Sequence, residues 1–183
     1  EMEWRGMSDP NMPPRFVRRV PDGDTHERDV CGDCGFVHYV NPKVVAGAVV
    51  RHGGRFLLCK RAIEPRYGFW TLPAGFMECG EAAEDTARRE AREEANAEIV
   101  IERLLAVYSV PRISQVQLLY LAHLGHPAFS PGVESLDARL YDWQDIPWDD
   151  LAFPSVRWAL KHARSVEGAV DFPPFTNDGI EAA

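Results

Sequence analysis

Three glutamates in one short stretch, Glu90, Glu93 and Glu94, are the residues of this chain best placed to do chemistry. At positions i, i+3 and i+4 of a helix their carboxylates share one neighbourhood of the surface. Like charges so placed destabilise an isolated helix by about 0.2–0.5 kcal/mol per pair. A divalent cation reverses that sign, because hard oxygen ligands are what Mg²⁺ prefers. A cation held there can neutralise the charge of an anionic substrate and lower the pKa of a bound water. A plainer reading exists. Glu84 with Arg88, Asp85 with Arg89, and Arg89 with Glu93 are i,i+4 pairs of opposite charge, and a solvated, salt-bridged helix face has that pattern too.

The elements that must position these carboxylates can be read on either side of them. Ala83, Ala87, Ala91 and Ala95 recur every four residues, so a helix from about Glu81 to Ala95 presents a narrow apolar stripe to a sheet. Before it, VVAGAVVR and RFLLCKR read as two buried strands joined at Gly53-Gly54, and Trp70, Leu72 and Ala74 alternate into the sheet ahead of a Gly75-Phe76 turn. After it, Ile99 to Val107 and Gln115 to Leu124 read as two more strands with a turn at Pro111. Ser130 to Trp143 is a loop leading into a last strand, and Pro154 to Glu167 is an amphipathic helix with Val156, Leu160 and Ala163 on one face. Strands alternating with two well-separated helices predict an α/β/α sandwich.

The stretch from Gly75 to Ala97 resembles the Nudix signature at Gly75, Glu81, Arg89, Glu90, Ala91, Glu93, Glu94 and Ala97. So many fixed offsets decide between the two readings of the helix. Asn96 stands where the family has glycine; asparagine is the next most tolerant residue of the left-handed conformation that ends such a helix. The resemblance implies an α/β Nudix sandwich with a mixed sheet. It implies Mg²⁺, with Mn²⁺ an acceptable substitute, held by Glu90, Glu93, Glu94 and the carbonyl of Gly75. Arg89 would fix the glutamates by ion pairs, and Glu81 would contribute at the helix start. A base must still finish deprotonating water. Glu134, in the loop Pro131 to Ser135, is the candidate and Glu93 the fallback. Arg66 and Tyr67, just before the signature, are in reach of a substrate.

Cys31-Gly32-Asp33-Cys34-Gly35 resembles one knuckle of the zinc ribbon that precedes the catalytic domain in one Nudix branch. Structural zinc takes four protein ligands. The stretch Asn11 to Val17, where that branch has its first cysteine pair, has no cysteine, and Cys59 and Cys79 fall inside the catalytic pattern. Cys31 and Cys34 are therefore read as a remnant pair in a degenerate zinc-ribbon-like extension, with no zinc. His26 and His38 are the only conceivable replacements there. The organisation expected is a flexible arm (1–19), the extension (20–42), the Nudix hydrolase domain (43–168) and a C-terminal tail (169–183). Phe172 and Phe175 of that tail would pack on a partner or lie on the surface.

The whole-chain figures fit that reading. A chain of 183 residues with 45% hydrophobic content can build a proper core. A net charge of −8 and pI near 5.2 argue against a nucleic-acid partner. The longest apolar run, Val44 to Val50, is too short to span a membrane, and with no secretory leader pattern a cytoplasmic location is expected. Trp143, Trp148 and Trp158 read as packing residues, Cys59 as a buried strand residue and Cys79 as a thiol without a base. The branch resemblance implies cleavage of the pyrophosphate bond of a small nucleotide derivative. ADP-ribose is expected first, giving AMP and ribose 5-phosphate, with FAD or NADH as alternatives. Pro111 favours ADP-ribose, while Val116-Gln117-Leu118 does not continue the motif of NADH-cleaving relatives. A homodimer is compatible with the arm and tail. Two readings of another class, a nucleotide-sensing Nudix domain without catalysis and an interaction module, are disfavoured by the intact glutamates and the missing cysteines.

Overall fold

The computed structural model describes residues 15–177, in two units that meet in sequence between Asn41 and Pro42. The first unit carries three short strands, β1 (Phe16–Arg19), β2 (Arg28–Cys31) and β3 (Val37–His38), in the antiparallel order β1-β2-β3. Part of the expected loose arm is thus a strand. Phe16 pairs with Cys31 and Arg19 with Arg28 in one register, and Arg18 faces Glu27 and Asp29 at 3.6 and 3.9 Å. The Pro- and Met-rich composition that suggested an arm belongs to residues 1–14, which lie outside the described residues. The extension therefore begins before residue 20.

The second unit is built on β4 (Lys43–His52), β5 (Arg55–Arg61), β6 (Trp70–Thr71), β7 (Ala74–Phe76), β8 (Ile99–Val110), β9 (Gln115–Leu124) and β10 (Ser135–Tyr141). Its main order is β10-β5-β4-β9-β8, with β6 on β5 and β7 on β4. Only β4 and β9 run parallel, from Lys43 beside Gln115 to Arg51 beside His123, so the sheet is mixed. The long Val/Leu/Ala runs follow from burial on both faces. Successive residues go to opposite sides. Val50, Leu57 and Ala122 pack with Ala87, Ala91 and Ala95 of helix α1 (Ala83–Ala95), whereas Val49, Leu58 and Leu121 pack with Val156, Leu160 and Ala163 of helix α2 (Pro154–Ser165). Each such fully buried Val or Leu contributes about 1.5–3 kcal/mol. The expected α/β/α sandwich is the fold.

The tail packs on the sandwich. Phe175 forms a parallel bridge to Ala106, exchanging main-chain hydrogen bonds with Leu105 and Val107 at 2.9 and 2.8 Å, and its ring stacks on His162 of α2 at 4.1 Å. Phe172 packs beside it, and the Asn177 side chain bonds both main-chain groups of Ser109. The tail adds to this unit's own edge strand, β8. Trp158 is buried, and Trp143 and Trp148 pack half-buried on the same core, as read from the sequence. No helix among the described residues is long and apolar enough to cross a membrane.

Candidate active site

Two glycines let the backbone close around the carboxylates. Strand β7 crosses β4 with Gly47 opposite Ala74 and Ala46 opposite Gly75. A Cβ on Gly47 would stand 2.2 Å from the Ala74 Cβ, so only glycine admits β7 there. A Cβ on Gly75 would stand 2.3 Å from Glu90 Oε1, so Gly75 makes the space in which that carboxylate sits.

Arg89 organises the cluster. Its Nε and one terminal nitrogen donate to both oxygens of Glu81 at 2.7 and 3.0 Å; the other terminal nitrogen donates to Glu90 at 2.6 Å and Glu93 at 2.9 Å, and the Phe76 carbonyl accepts a fifth bond at 2.9 Å. This fan uses the rigid fork of five donors that distinguishes arginine from lysine. Glu81 also accepts from the Thr86 hydroxyl at 2.7 Å and the Glu78 N–H at 3.1 Å. The Arg89 guanidinium first, then those two donors, pull its carboxyl down to about 2. Arg88, one residue earlier, points outward and pairs with Glu84 and Asp85 at 3.3 and 3.0 Å. The solvated salt-bridged face and the functional face both exist, on neighbouring arginines of α1.

Glu90 and Glu94 are only 8% and 6% exposed. Burial raises the Glu90 carboxyl above its usual range, and burial pushes Glu94 up to about 8 even though the Ala74 N–H donates to it at 3.1 Å. Glu93 stays open to solvent. The donor set fits a divalent cation: two desolvated carboxylates, a third beside them, and a glycine carbonyl strand with no side chain in the way. As placed, Glu90 and Glu93 each turn an oxygen to Arg89, and among the described residues no three His, Cys, Asp or Glu side chains already converge on one cation position.

The loop bearing Glu134 is clamped to the end of α1. The Ser130 and Gly132 N–H groups donate to the Ala95 and Glu94 carbonyls at 2.9 and 3.0 Å, and a Cβ on Gly132 would overlap the Glu93 carbonyl at 1.7 Å. Asn96 caps the helix in the expected left-handed conformation, φ 45° and ψ 34°. Its side chain has a use that the sequence did not reveal: it donates to Ser130 and Pro131.

Gly75, Arg89, Glu90, Glu93, Glu94 and Glu134 line one cavity of about 580 Å³. Arg66, Tyr67 and Glu81 do not. Arg66 turns back over the Phe69 ring in a positive-φ turn, and Tyr67 is exposed, whereas Arg61, Ile63, Glu64 and Pro65 of the same segment face the cavity. The rest of the wall was missed in the sequence. Arg112 and Ile113 come from the short 3₁₀ turn Pro111–Ile113, Gln115 and Gln117 from the start of β9, and Phe153, Ser155 and Trp158 from the start of α2. The one signal was Pro111, which marks the turn that delivers Arg112.

A glutamate-rich helix after a glycine strand, on a mixed sheet between two helices, is matched by the NUDIX domain family over residues 41–162, two thirds of the chain. The chain belongs to the Nudix family. A second family, the Nudix N-terminal zinc ribbon, matches residues 14–40. A NUDIX hydrolase structure from Nitrosomonas europaea is 43% identical, with a TM-score of 0.85 over 92% of this chain and 96% of that one. The ADP-ribose pyrophosphatase of Methanocaldococcus jannaschii is 30% identical over 63% of this chain and 69% of its own length. The NAD-capped RNA hydrolase NudC of Vibrio atlanticus is 30% identical over 64% of this chain but 44% of its own length. The chemistry of this Nudix chain is that of a pyrophosphohydrolase.

Proposed function

We propose that this Nudix enzyme hydrolyses the pyrophosphate bond of a nucleoside diphosphate derivative with Mg²⁺, and that its preferred substrate is ADP-ribose, yielding AMP and ribose 5-phosphate. The observation that carries the reading is one cavity walled by the α1 carboxylates and also by Ile113, Phe153 and Trp158. About 580 Å³ lies within the range of sites that enclose a small organic ligand. Acidic and apolar walls together suit a substrate with a charged middle and bulky halves. The relative from M. jannaschii bears the name of that activity.

When bound, divalent ions would neutralise the pyrophosphate and lower the pKa of a water, so that it is readily deprotonated to the nucleophile that attacks phosphorus. The chain's own groups do the rest. Glu90, Glu93 and Glu94, with the Gly75 carbonyl, would hold the ions, and Arg89 keeps the first two carboxylates in place without them. Glu134 accepts the proton of the attacking water, with Glu93 as the second choice. Both stand at the solvent-open side of the cluster. Arg61 and Arg112 add positive charge to the wall for an anionic substrate.

FAD is the closest competitor and NADH ranks below it; long nucleic acid is disfavoured by the net charge of −8. A product-resolved screen by kcat/KM with Mg²⁺ tests the order, because that ratio reports differential transition-state binding. ADP-ribose should lead. A nucleoside triphosphate ahead of both ADP-ribose and FAD by tenfold, about 1.4 kcal/mol in the barrier, overturns the substrate while leaving the family chemistry intact.

A further inference from the structure

The first unit has the strands of a zinc ribbon without the ligands of one. Cys31 and Cys34 are its only cysteines, and the residues before Arg15 contain neither cysteine nor histidine. His38 lies across from Asp29 on β3 with its ring 6.0 Å from that of Phe16, and His26 bonds to the Thr25 hydroxyl at 2.9 Å. Neither joins the cysteines, since no metal-holding group of three exists among the described residues. Four-coordinate structural zinc does not fit.

What remains is a pair of thiols held together. A turn from Cys31 to Gly35 joins β2 to β3, closed by the Gly35 N–H on the Cys31 carbonyl at 2.9 Å and by the Cys31 N–H on the Phe36 carbonyl at 2.8 Å. Gly35 takes φ +74°, which brings the chain back sharply. The bond from Gly35 to Cys31 closes an α-turn with both cysteines inside it, and a disulfide joins residues whose Cα atoms lie within about 7 Å. The backbone N–H groups of Cys34 and Asp33 beside the Cys31 sulfur hold its thiol below the usual range. Those backbone donors stabilise a thiolate on Cys31. Cys31 is buried and Cys34 exposed, so one sulfur meets the solvent and the other waits behind it.

We propose that Cys31 and Cys34 form a reversible dithiol–disulfide pair in the place of the ribbon's zinc. With a small disulfide RSSR as oxidant, the exposed Cys34 thiolate attacks one sulfur, forming Cys34–S–S–R and releasing RS⁻. The Cys31 thiolate then attacks the Cys34 sulfur, forming the Cys31–Cys34 bond and releasing the second RS⁻. Two electrons pass from the protein to RSSR, and the two thiol protons end on the released thiolates. This order follows from access: an attacking thiol must reach its target, and only the second step is intramolecular.

The test uses the full chain, reduced and then equilibrated in glutathione buffers of rising oxidised fraction, acid-quenched, alkylated and mapped by mass. Metal content is measured on the same sample. A Cys31–Cys34 disulfide that forms within the buffer series, is reversed by dithiothreitol and is accompanied by well under one zinc per chain is expected. Cys31→Ser should trap Cys34 as a mixed disulfide with glutathione, and Cys34→Ser should leave Cys31 largely unmodified. Stoichiometric zinc, or two cysteines that stay alkylatable or end as separate mixed disulfides in the most oxidising buffer, overturns the proposal. Exposed Cys79 belongs to the other unit, so the experiment is repeated in Cys79→Ser to keep the assignment clean.

Discussion

Asn96 holds Ser130: its side-chain amide donates to the Ser130 hydroxyl at 3.1 Å, 34 residues along the chain, and to the Pro131 carbonyl at 3.0 Å. The residue that ends the glutamate helix therefore also anchors the loop that carries Glu134. A glycine there would supply the backbone conformation alone.

Asn96→Gly separates those two duties. The helix end should survive, because glycine takes positive φ at no steric cost. Loss of a net hydrogen bond, about 0.5–1.5 kcal/mol, should lower the thermal midpoint by a few degrees, and the loosened Glu134 loop should lower kcat about two- to tenfold with KM little changed. Steady-state kinetics beside a melt decide it; an unaltered kcat would mean that the main-chain bonds of Gly132 and Ser130 suffice to hold the loop.

Gly75→Ala tests the cradle. The added methyl would meet the far end of the Glu90 side chain, which can swing away, so the fold should hold with a melt close to that of the parent. The displaced carboxylate should weaken Mg²⁺ binding and cut activity by an order of magnitude or more, as expected when a metal ligand is moved. Mg²⁺ titration of activity reads this out, and a variant with the parent's Mg²⁺ dependence would show that Glu90 does not need its present position.

Glu94 links pH to stability. Its carboxyl titrates near 8 in the folded chain against an ordinary 4.5, so the folded state retains a proton that the unfolded chain has lost. The resulting stabilisation is complete below about pH 4.5 and is lost as pH rises towards 8. Metal-free protein should lose stability across that window with a slope approaching ~1.4 kcal/mol per pH unit. Glu94→Gln should flatten the slope while activity at saturating Mg²⁺ falls by orders of magnitude. Activity within a few-fold of the parent would remove Glu94 from the metal site.

What the sequence made legible was local. Glu90, Glu93, Glu94 and Arg89 sit on one helix, where fixed offsets follow directly from 3.6 residues per turn. The sandwich was legible because continuous Val/Leu/Ala runs mark strands buried on both faces, and the alanine stripe marks a helix that covers one of those faces. The far wall of the cavity was not, since Arg112, Gln117 and Trp158 reach it through the parallel pairing of β4 with β9 and the seating of α2. No local pattern encodes such long-range placement. The segment before β6 misled for a related reason: whether Arg61 or Arg66 faces the cavity depends on a turn with positive φ at Arg66, which residue type alone does not announce. Strand β1 was read as part of a flexible arm, and the pairing of Phe175 went unread, because four or fewer residues of strand carry too little period to detect.

Arg112 gives the sharpest test of that unread wall. It rides on the Pro111–Ile113 turn, exposed and lining the cavity with no carboxylate paired to it among the described salt bridges. A guanidinium so placed can bind an anionic or hydroxyl-rich half of the substrate without touching the reacting phosphorus. Arg112→Ala should therefore raise KM for ADP-ribose about tenfold, the effect of losing one charge-assisted hydrogen bond of about 1.5 kcal/mol, while kcat stays within about twofold. That split is the mark of binding shared equally by ground and transition states. If kcat falls in step with kcat/KM instead, Arg112 acts on the transition state and belongs with Arg89 beside the carboxylates.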